Sequence, residues 1–450
     1  MTTSTWLDEM KARNGDIALI DGEISVTFAQ LASEIESQVD TLKRHHVSAG
    51  DPVILNSDFS AAGIVTLLAL ARLKAIAIPI VNLNKELMPV LESECGARFL
   101  VTPSQDGRIE TVGTGADHQL YATLRRRDAA GLVLLSSGST GKPKAILHDL
   151  DRLLETRKKA GGHNRLTVLL FLLFDHIGGI NTLIKTLFSG GVAVIARARQ
   201  PDAICALVES HRVNVLPTSP TFLNLILLSG AHTRHDMSSL RLITYGTEPM
   251  PEELLRRVRV AFPKIRFVQT FGTSETGIAA TKGPRSASTL FKIDDDSQEF
   301  RILDGELQLR SNNQFLGYLN YADAAVTEDG WFRTGDAAEL TEDGYIRIRG
   351  RLKEMINVGG EKVLPLELET ILLDHPLVAD CVVYGMPNAI TGQSVWVDVL
   401  PSGAMEKSEL QKSIHDFLAE RVQRFKIPSR VKMVDHIEMS ERFKKKRIRS

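Results

Sequence analysis

Short hydrophobic runs alternate with amphipathic stretches from the N-terminal region to about residue 270. The run DPVILNS is followed by the helical stretch AAGIVTLLALARLKA and then by the run IAIPIV. The same alternation returns in GVAVIAR, PDAICALVESH, VNVLPTSP and TFLNLILLSG. Because the short runs are apolar at successive positions, they predict strands buried on both faces, in parallel sheets covered by helices.

The pattern changes near Phe300, where hairpin-like alternation replaces the strand–helix pattern. EFRILDGELQLRS and TEDGYIRI each carry an Asp-Gly pair beside alternating residues, which is typical of a β-hairpin. Beyond Lys353, helices and strands follow in a stretch the size of a small domain. We therefore predict an α/β protein. Residues 1–352 would form a large domain of parallel βα-layered sheets with a small β-barrel-like part, and residues 353–450 a small α+β domain.

Composition narrows the class of protein. The 450 residues are 24% charged with a formal net charge of −1, which offers no field for nucleic acid or an anionic membrane. Cys95, Cys205 and Cys381 lack metal-ligand spacing and are typical of buried, reduced thiols. The longest apolar run, TVLLFLLF, is too short to cross a bilayer, and the first residues lack a signal-peptide core. We expect a soluble, cytoplasmic protein.

A strand followed by a loop of small residues stands at LVLLSSGSTGKPK. The loop contains six small or hydroxyl residues and two nearby lysines: Ser136, Ser137, Gly138, Ser139, Thr140 and Gly141, then Lys142 and Lys144. Backbone N–H groups in such a loop can approach an anion closely, and hydroxyl and ammonium groups add donors. It is not a Walker loop, because Pro143 follows Lys142 and no glycine stands five residues before Gly141. The loop indicates a phosphate site of another kind or, taken alone, an ordinary surface turn.

Three further stretches carry candidate nucleotide contacts. The turn in YGTEPMP can present open backbone to a purine edge through Gly246, Thr247, Glu248 and Pro249. In FGTSETG, Phe271 offers a flat face for stacking beside Gly272. Glu275 among hydroxyl side chains suits Mg²⁺, which takes carboxylate and phosphate oxygens and water. Asp336 in WFRTGD could accept both ribose hydroxyls, although each stretch alone could be an ordinary turn.

One acidic stretch, DDDS at residues 294–297, is interpreted as a solvated turn rather than a metal site.

Taken together and in order, these stretches resemble the motifs of the adenylate-forming superfamily, which includes acyl- and aryl-CoA synthetases, peptide-synthetase adenylation domains and luciferases. The resemblance runs from about Asp51 to the C-terminus. FGTSE is similar to the family's Tyr-Gly-x-Thr-Glu element, with Phe271 for Tyr and Ser274 for Thr. GRLKEMINVGGEKVLPLELE is similar to the hinge and opening of a mobile C-terminal lid.

The resemblance implies that the loop holds the β- and γ-phosphates of ATP while a substrate carboxylate attacks the α-phosphorus. Pyrophosphate leaves and an acyl-adenylate remains, with Ser274 and a lid lysine in catalytic positions. Counting from Pro428 puts that lysine at Lys444, with Phe443 where the family has glycine. Lys445 and Lys446 offer competing amines, and a solvated basic tail is the alternative interpretation.

The resemblance also assigns residues to the second half-reaction. Arg351 would contact the ribose, and Lys353 would be the hinge about which the lid rotates. Gly359 and Gly360 would lie where the pantetheine thiol of coenzyme A arrives. The stretch VGGEKVLPLELE is closer to acyl-CoA synthetases than to peptide-synthetase domains, so coenzyme A is the expected acceptor.

The stretch LLFLLFDHIGGINTL bears on the acid substrate. Asp175, His176 and Gly178 resemble the Phe-His-x-x-Gly element between the ATP site and the acyl pocket. His176 could line the carboxylate channel and act in catalysis, or be a structural residue. Asp175 could pair with the ammonium of an amino acid substrate.

Three hypotheses follow for the function. The first is an acid–CoA ligase using ATP, Mg²⁺ and coenzyme A. The second is a stand-alone adenylation enzyme that loads a free-standing carrier protein. The third is a non-catalytic nucleotide-binding relative, suggested by Phe443.

Overall fold

The computed structural model describes residues 6–103, 107–115, 118–136, 142–155, 165–284, 288–321 and 325–447. Its helices are, in chain order, α1 (Trp6–Lys11), α2 (Phe28–Arg44), α3 (Ala61–Arg72), α4 (Gln119–Arg126), α5 (Leu150–Glu155), α6 (Ile177–Phe188), α7 (Pro201–Ser210), α8 (Pro220–Ser229), α9 (Ala231–Arg234), α10 (Glu252–Ala261), α11 (Pro365–Leu373) and α12 (Lys407–Ala419).

The strands are, in the same order, β1 (Ile17–Asp21), β2 (Ile24–Thr27), β3 (Pro52–Asn56), β4 (Ile76–Ile80), β5 (Phe99–Thr102), β6 (Arg108–Thr111), β7 (Gly131–Ser136), β8 (Lys144–Asp149), β9 (Thr167–Leu170), β10 (Val192–Ile195), β11 (Val215–Thr218), β12 (Leu242–Tyr245), β13 (Arg266–Gln269), β14 (Phe271–Thr273), β15 (Gly277–Ala279), β16 (Thr281–Lys282), β17 (Lys292–Ile293), β18 (Gln298–Leu303), β19 (Glu306–Ser311), β20 (Gly317–Tyr318), β21 (Phe332–Leu340), β22 (Ile346–Arg351), β23 (Ile356–Val358), β24 (Glu361–Val363), β25 (Val378–Asn388), β26 (Gly392–Pro401) and β27 (Arg430–Met433).

Two seven-stranded sheets form the large part of the protein, in the orders β13-β12-β11-β9-β10-β1-β2 and β20-β8-β7-β4-β3-β5-β6. Their inner strands pair in parallel, as the apolar runs predict, and β4 and β11 are buried at every position. Antiparallel strands complete the ends: β2 beside β1, β6 beside β5, and β8 and β20 beyond β7. The predicted α/β class is confirmed, with antiparallel ends that the strand–helix alternation does not reveal.

Three helices pack between the two sheets. One continuous hydrophobic cluster joins Leu31 of α2, Leu67 of α3 and Ile180 of α6 to Leu19 of one sheet and Leu55 of the other. α3 is apolar around most of its circumference, which is typical of a helix buried on all sides. This core holds α6 in place, and α6 borders the candidate site described below.

The small β part is a four-stranded antiparallel sheet in the order β18-β19-β21-β22. Its first hairpin turns at Asp304 and Gly305, whose φ angles of 51° and 76° are both positive. Two positive φ angles define the turn that Asp-Gly favours, so the predicted hairpin is confirmed. The hairpin leads into β21, which carries Asp336.

The C-terminal part has its own sheet, in the order β24-β23-β26-β25 with β27 beside β26. Its core contains Ile356, Leu372, Val397, Leu418 and Val431. The predicted boundary between residues 352 and 353 falls in a short 3₁₀ helix, Leu352–Glu354, which joins β22 to β23. The exact boundary stays a prediction.

Two expectations from composition can be compared with the fold. Cys95, Cys205 and Cys381 are buried free thiols, as predicted. Among the described residues, every helix is too short or too polar to cross a membrane.

Candidate active site

A cavity of about 1700 Å³ extends along β11, β12 and β13 to their carboxyl ends, and Ser440 and residues 444–447 of the C-terminal tail line it. This end of a parallel sheet is where α/β proteins bind ligands. Most of the predicted site residues line the cavity: Ser136, Lys144, His176, Gly178, Gly246, Thr247, Glu248, Pro249, Phe271, Gly272, Ser274, Glu275, Asp336, Arg351, Lys353 and Lys444. Residues that are distant in the sequence therefore meet at one site.

The predicted phosphate loop is described only at its two ends. Ser137, Gly138, Ser139, Thr140 and Gly141 lie outside the described residues. Ser136 ends β7 and pairs with Lys144 at the start of β8. The Lys144 ammonium lies 3.9 Å from the ring centre of Tyr321, whereas Lys142 is exposed.

The turn at YGTEPMP is strained. Thr247 has a φ of 70°, which is rare for a β-branched residue, and its buried hydroxyl has no hydrogen-bond partner among the described residues. Such strain concentrates at binding sites. Beside it, a carboxylate oxygen of Glu248 accepts a hydrogen bond from the Thr221 amide at 2.8 Å, and burial raises the pKa of Glu248.

The β14–β15 hairpin holds Phe271, Ser274 and Glu275. Phe271 stacks on Phe291 with ring centres 5.2 Å apart. The Glu275 amide donates to the Thr273 hydroxyl at 3.2 Å, and this local turn fixes the direction of the Glu275 side chain.

Ser274 and Glu275 of this hairpin each form a hydrogen bond with a side chain from outside it. The Tyr318 hydroxyl donates to a carboxylate oxygen of Glu275 at 2.8 Å. The carbonyl oxygen of Ser274 lies 2.7 Å from Nε2 of His148, which we assign as the donor. Burial lowers the pKa of His148 to about 4, so this imidazole is neutral.

Asp336 and Arg351 form an ion pair inside the cavity. Their backbones are directly opposite in the β21–β22 ladder, and Nε of Arg351 lies 2.9 Å from Oδ1 of Asp336. Burial raises the pKa of Asp336, and the positive charges of Arg351 and Lys444 oppose that rise. The structure thus brings together three residues that the sequence assigns separately to ribose and catalysis.

Lys444 of the C-terminal tail lines the cavity, as do Lys445, Lys446 and Arg447. Burial lowers the pKa of the Lys444 ammonium to about 8, and the positive charges of Arg351 and Arg442 act in the same direction. Glu248 and Asp336 oppose the shift. Lys444 therefore carries a proton at neutral pH in a site that makes the charge costly, which is typical of functional cations.

Phe443 keeps the backbone conformation that the family's glycine would favour. Its φ is 52°, in the left-handed region. Its ring packs between Phe171 and Phe222, with centroid distances of 5.3 Å and 5.1 Å, and its carbonyl accepts from the Ser219 hydroxyl at 3.2 Å. Aromatic packing offsets backbone strain at this position.

Arg442 is a residue that sequence reasoning missed. Its guanidinium donates to the carbonyl of Leu135 at 2.9 Å, at the end of β7. It also lies 3.9 Å from Oδ1 of Asp175. Arg442 therefore links the C-terminal tail to the two loops that border the cavity. Only folding brings these segments together, so no local motif identifies it.

His176 combines the two roles that the sequence left open. Its Nδ1 accepts the amide of Gly178 at 3.0 Å and caps α6, while the residue also lines the cavity. Burial lowers the pKa of His176 well below its ordinary value, and Arg442 and Lys444 add to this effect. A neutral imidazole results, with Nε2 left to carry the proton.

The predicted contact between Asp175 and a substrate ammonium stays a prediction. Asp175 is absent from the cavity lining and instead faces the Val81 amide at 3.5 Å and Arg442. Burial raises the pKa of Asp175, which further weakens it as a partner for a cation.

Two other predictions concern residues at the edge of the site. Gly359 and Gly360 form the exposed tip of the β23–β24 hairpin and do not line the cavity. Lys353 lies at its mouth. The acidic turn at 294–297, interpreted from sequence as merely solvated, lines the cavity, as does Lys185 of α6. The run of aspartates marks the turn in the sequence, whereas Lys185 stands in no motif.

The fold and cavity define an α/β enzyme with a nucleotide-sized site beneath a C-terminal tail. The family described as AMP-binding enzyme matches residues 8–319, and its C-terminal domain matches residues 367–444. The chain belongs to this family. The predictions of an adenylate-forming α/β fold and of an AMP-forming acid–thiol ligase are confirmed.

Several relatives resemble the chain over most of its length. Indoleacetate–CoA ligase of Aromatoleum aromaticum is 29% identical, covering 97% of this chain and 95% of its own. The 2,3-dihydroxybenzoate-AMP ligase of Bacillus subtilis is 31% identical over 67% of this chain and 60% of its own. The solved structure of anthranilate CoA ligase AuaEII with anthranoyl-AMP has a TM-score of 0.81 at 22% identity, covering 98% and 95% of the two chains, and supports the fold.

Proposed function

We propose that the protein joins a carboxylic acid to coenzyme A in two steps, through an acyl-adenylate. The observation that carries this proposal is the group formed by Lys444, Asp336 and Arg351 inside one cavity. It provides a carboxylate suited to ribose hydroxyls beside a buried cation suited to phosphate oxygens.

In the first step, the acid carboxylate attacks the α-phosphorus of ATP, and pyrophosphate leaves with the bonding electron pair. Two anions approach each other in this step, so the site must offset their charge. Lys444 supplies one positive charge, and Arg351 holds Asp336 in position for the ribose. Neutral His176 lines the path of the carboxylate without adding a charge that would trap it in the ground state.

Glu275 fits the Mg²⁺ that this chemistry requires. Its carboxylate lines the cavity, and the hydrogen bond from Tyr318 leaves lone pairs on both oxygens. No cluster of three potential ligand residues occurs in the described ranges, which suits an ion held by one carboxylate, phosphate oxygens and water. When bound, Mg²⁺ would neutralise charge on the phosphate oxygens.

In the second step, the thiol of coenzyme A attacks the acyl carbonyl, a carbon–sulfur bond forms and AMP leaves. The thiol proton passes to solvent. The exposed Gly359–Gly360 hairpin is the proposed place for the pantetheine arm, and Lys353 the proposed hinge that brings it to the cavity. Both assignments rest on the family resemblance and on the position of Lys353 at the cavity mouth.

The relatives guide the choice of acid. Indoleacetate and 4-coumarate, named for two relatives, are acids with apolar aromatic groups. The apolar residues that line the cavity include Ile180, Ile184, Val268 and Ile278. We therefore propose an acid with a largely apolar body, with coenzyme A as the acceptor.

Pyrophosphate release from ATP tests the proposal across a panel of indoleacetic, 4-coumaric, 2,3-dihydroxybenzoic, octanoic and sebacic acids and phenylalanine, with and without coenzyme A. We expect release that depends on one class of acid and a thioester that appears only with coenzyme A. Acid-dependent release with a product only on a holo-carrier protein would instead favour carrier loading. No release with any acid would contradict the proposal.

A further inference from the structure

Lys185 introduces a positive charge into a part of the cavity wall that combines apolar side chains of α6 with the acidic turn at residues 294–297. α6 presents Ile177, Ile180, Ile184 and Lys185 along one face, with the spacing of neighbouring helical turns, and all four line the cavity. Val268 and Ile278 also line the cavity. The apolar neighbours make the Lys185 ammonium costly to bring out of water, and Asp295 offsets part of that cost.

The surroundings of Lys185 leave its ammonium available for a ligand. The residue is exposed, and yet burial by the surrounding walls lowers its pKa, because it lies in a concave cavity that water can enter. Within the described part of the chain, no residue forms a hydrogen bond or ion pair with it. Asp295 is the opposing charge that acts on it.

The carboxylate of Asp295 already accepts hydrogen bonds from the backbone around it. Its carboxylate accepts hydrogen bonds from the Ser297 amide at 2.9 Å and from the Ala280 amide at 3.3 Å. These contacts hold the turn against β15 and place a negative charge near Lys185 without a direct bond between them. Asp295 therefore favours the charged form of Lys185 and leaves its hydrogen-bond donors unused.

The position of Lys185 along α6 sets its distance from His176, where the reacting carboxylate of the acid would lie. His176 caps the helix beside Lys444, and Lys185 lies nine residues further along. At the rise of an α-helix this is roughly 13 Å. A flexible lysine side chain shortens the span that a ligand must cover, so an extended acid of medium length reaches from one end to the other.

We propose that Lys185 is a specificity-determining residue that binds a second carboxylate at the far end of the acid substrate. The preferred substrate class is then an acid with an apolar body and an anionic group at each end. This inference rests on the proposed function, because it takes the cavity beyond His176 as the acyl site. The inference does not depend on which thiol accepts the acyl group.

Matched pairs of acids test the inference through acid-dependent exchange of pyrophosphate into ATP. Suberic and sebacic acids are compared with octanoic and decanoic acids in the unchanged protein and in Lys185→Met. We expect kcat/KM to favour each dicarboxylic acid by at least about tenfold in the unchanged protein, since a paired charge in a partly dry site is worth that much. In Lys185→Met, the preference should reverse, because the acidic turn would then repel the second carboxylate with no cation to offset it.

Two variants serve as controls. Lys185→Arg keeps the charge and should keep the preference, whereas Lys264→Met removes an exposed lysine outside the cavity and should leave it unchanged. Equal use of mono- and dicarboxylic acids by the unchanged protein would contradict the proposed role of Lys185 but not the proposed function. The same preference in Lys185→Met would do so too. Exchange that no acid supports in the unchanged protein would instead overturn the proposed function.

Discussion

The ammonium of Lys445 lies 2.5 Å from Oδ1 of Asp380, and only 7% of each side chain is exposed. Lys445 also donates to the carbonyl of Cys381 at 2.8 Å. Burial alone would lower the pKa of Lys445, but Asp380 and Glu369 outweigh it and raise the pKa. Lys445 is therefore a fixed part of the C-terminal core. The charge of its neighbour Lys444 faces Asp336 instead.

Substitution of each lysine separates these roles. Lys444→Ala should slow pyrophosphate exchange by roughly 100-fold or more, because a cation at the phosphates is lost. Lys446 also lines the cavity but is exposed to solvent, which screens its charge, so Lys446→Ala should change the rate by less than about twofold. A loss in Lys446→Ala as large as that in Lys444→Ala would contradict the assignment.

Lys445→Ala should act on stability instead. It leaves Asp380 buried without its partner, at a cost of about 3 kcal/mol in the free energy of unfolding. Thermal unfolding measures this loss, with Lys446→Ala as the matched control. An unfolding midpoint unchanged by Lys445→Ala would show that the ion pair contributes nothing to stability.

The lowered pKa of Lys444 predicts a pH dependence. The ammonium loses its proton as the pH rises through about 8, so kcat/KM for ATP should fall above that pH. Lys444→Arg should be slower at neutral pH but should lose this decline, because a guanidinium stays protonated. The same decline in Lys444→Arg would assign it to another group.

Phe443 is expected to position Lys444 through its packing. Phe443→Gly removes two ring contacts worth about 1 kcal/mol each and relieves a positive φ worth about 1 kcal/mol. The remaining loss predicts pyrophosphate exchange slower by about fivefold to tenfold. Thioester formation from synthetic acyl-adenylate should change by less than about twofold, whereas Phe443→Tyr should keep both rates. Equal slowing of both steps by Phe443→Gly would contradict a role specific to the first step.

Asp336→Asn should raise the KM for ATP by roughly tenfold or more, since a charged hydrogen-bond acceptor for the ribose is lost. The KM for the acid should change little. Glu339→Gln is the matched control, because Glu339 lies on the same strand but pairs with Arg347 outside the cavity. An unaltered KM for ATP in Asp336→Asn would remove Asp336 from the ribose site.

Local sequence patterns predict the parts of the structure that depend on short stretches of the chain. The β3–α3–β4 unit, the Asp304–Gly305 hairpin and the buried thiols all follow from hydrophobic period and turn chemistry. Counting from Pro428 also selected Lys444, the lysine of the tail whose charge acts on Asp336 inside the cavity. These features depend on short stretches whose spacing survives in the fold.

Other features depend on contacts between distant segments. Arg442 reaches Leu135, and Lys185 shares the cavity with the acidic turn around Asp295, although none of them stands in a recognisable motif. Asp175 and His176 are neighbours in the sequence, but only His176 lines the cavity, while Asp175 lies near Arg442.

The most direct test of the two-step account follows oxygen-18 from the carboxylate of the best acid in the panel. Attack of that carboxylate on the α-phosphorus leaves one of its oxygens on AMP after the thiol takes the acyl group. Mass spectrometry should therefore find one oxygen-18 in each AMP formed, in equal amount to the thioester. Unlabelled AMP, or ADP in place of AMP, would contradict activation through an acyl-adenylate.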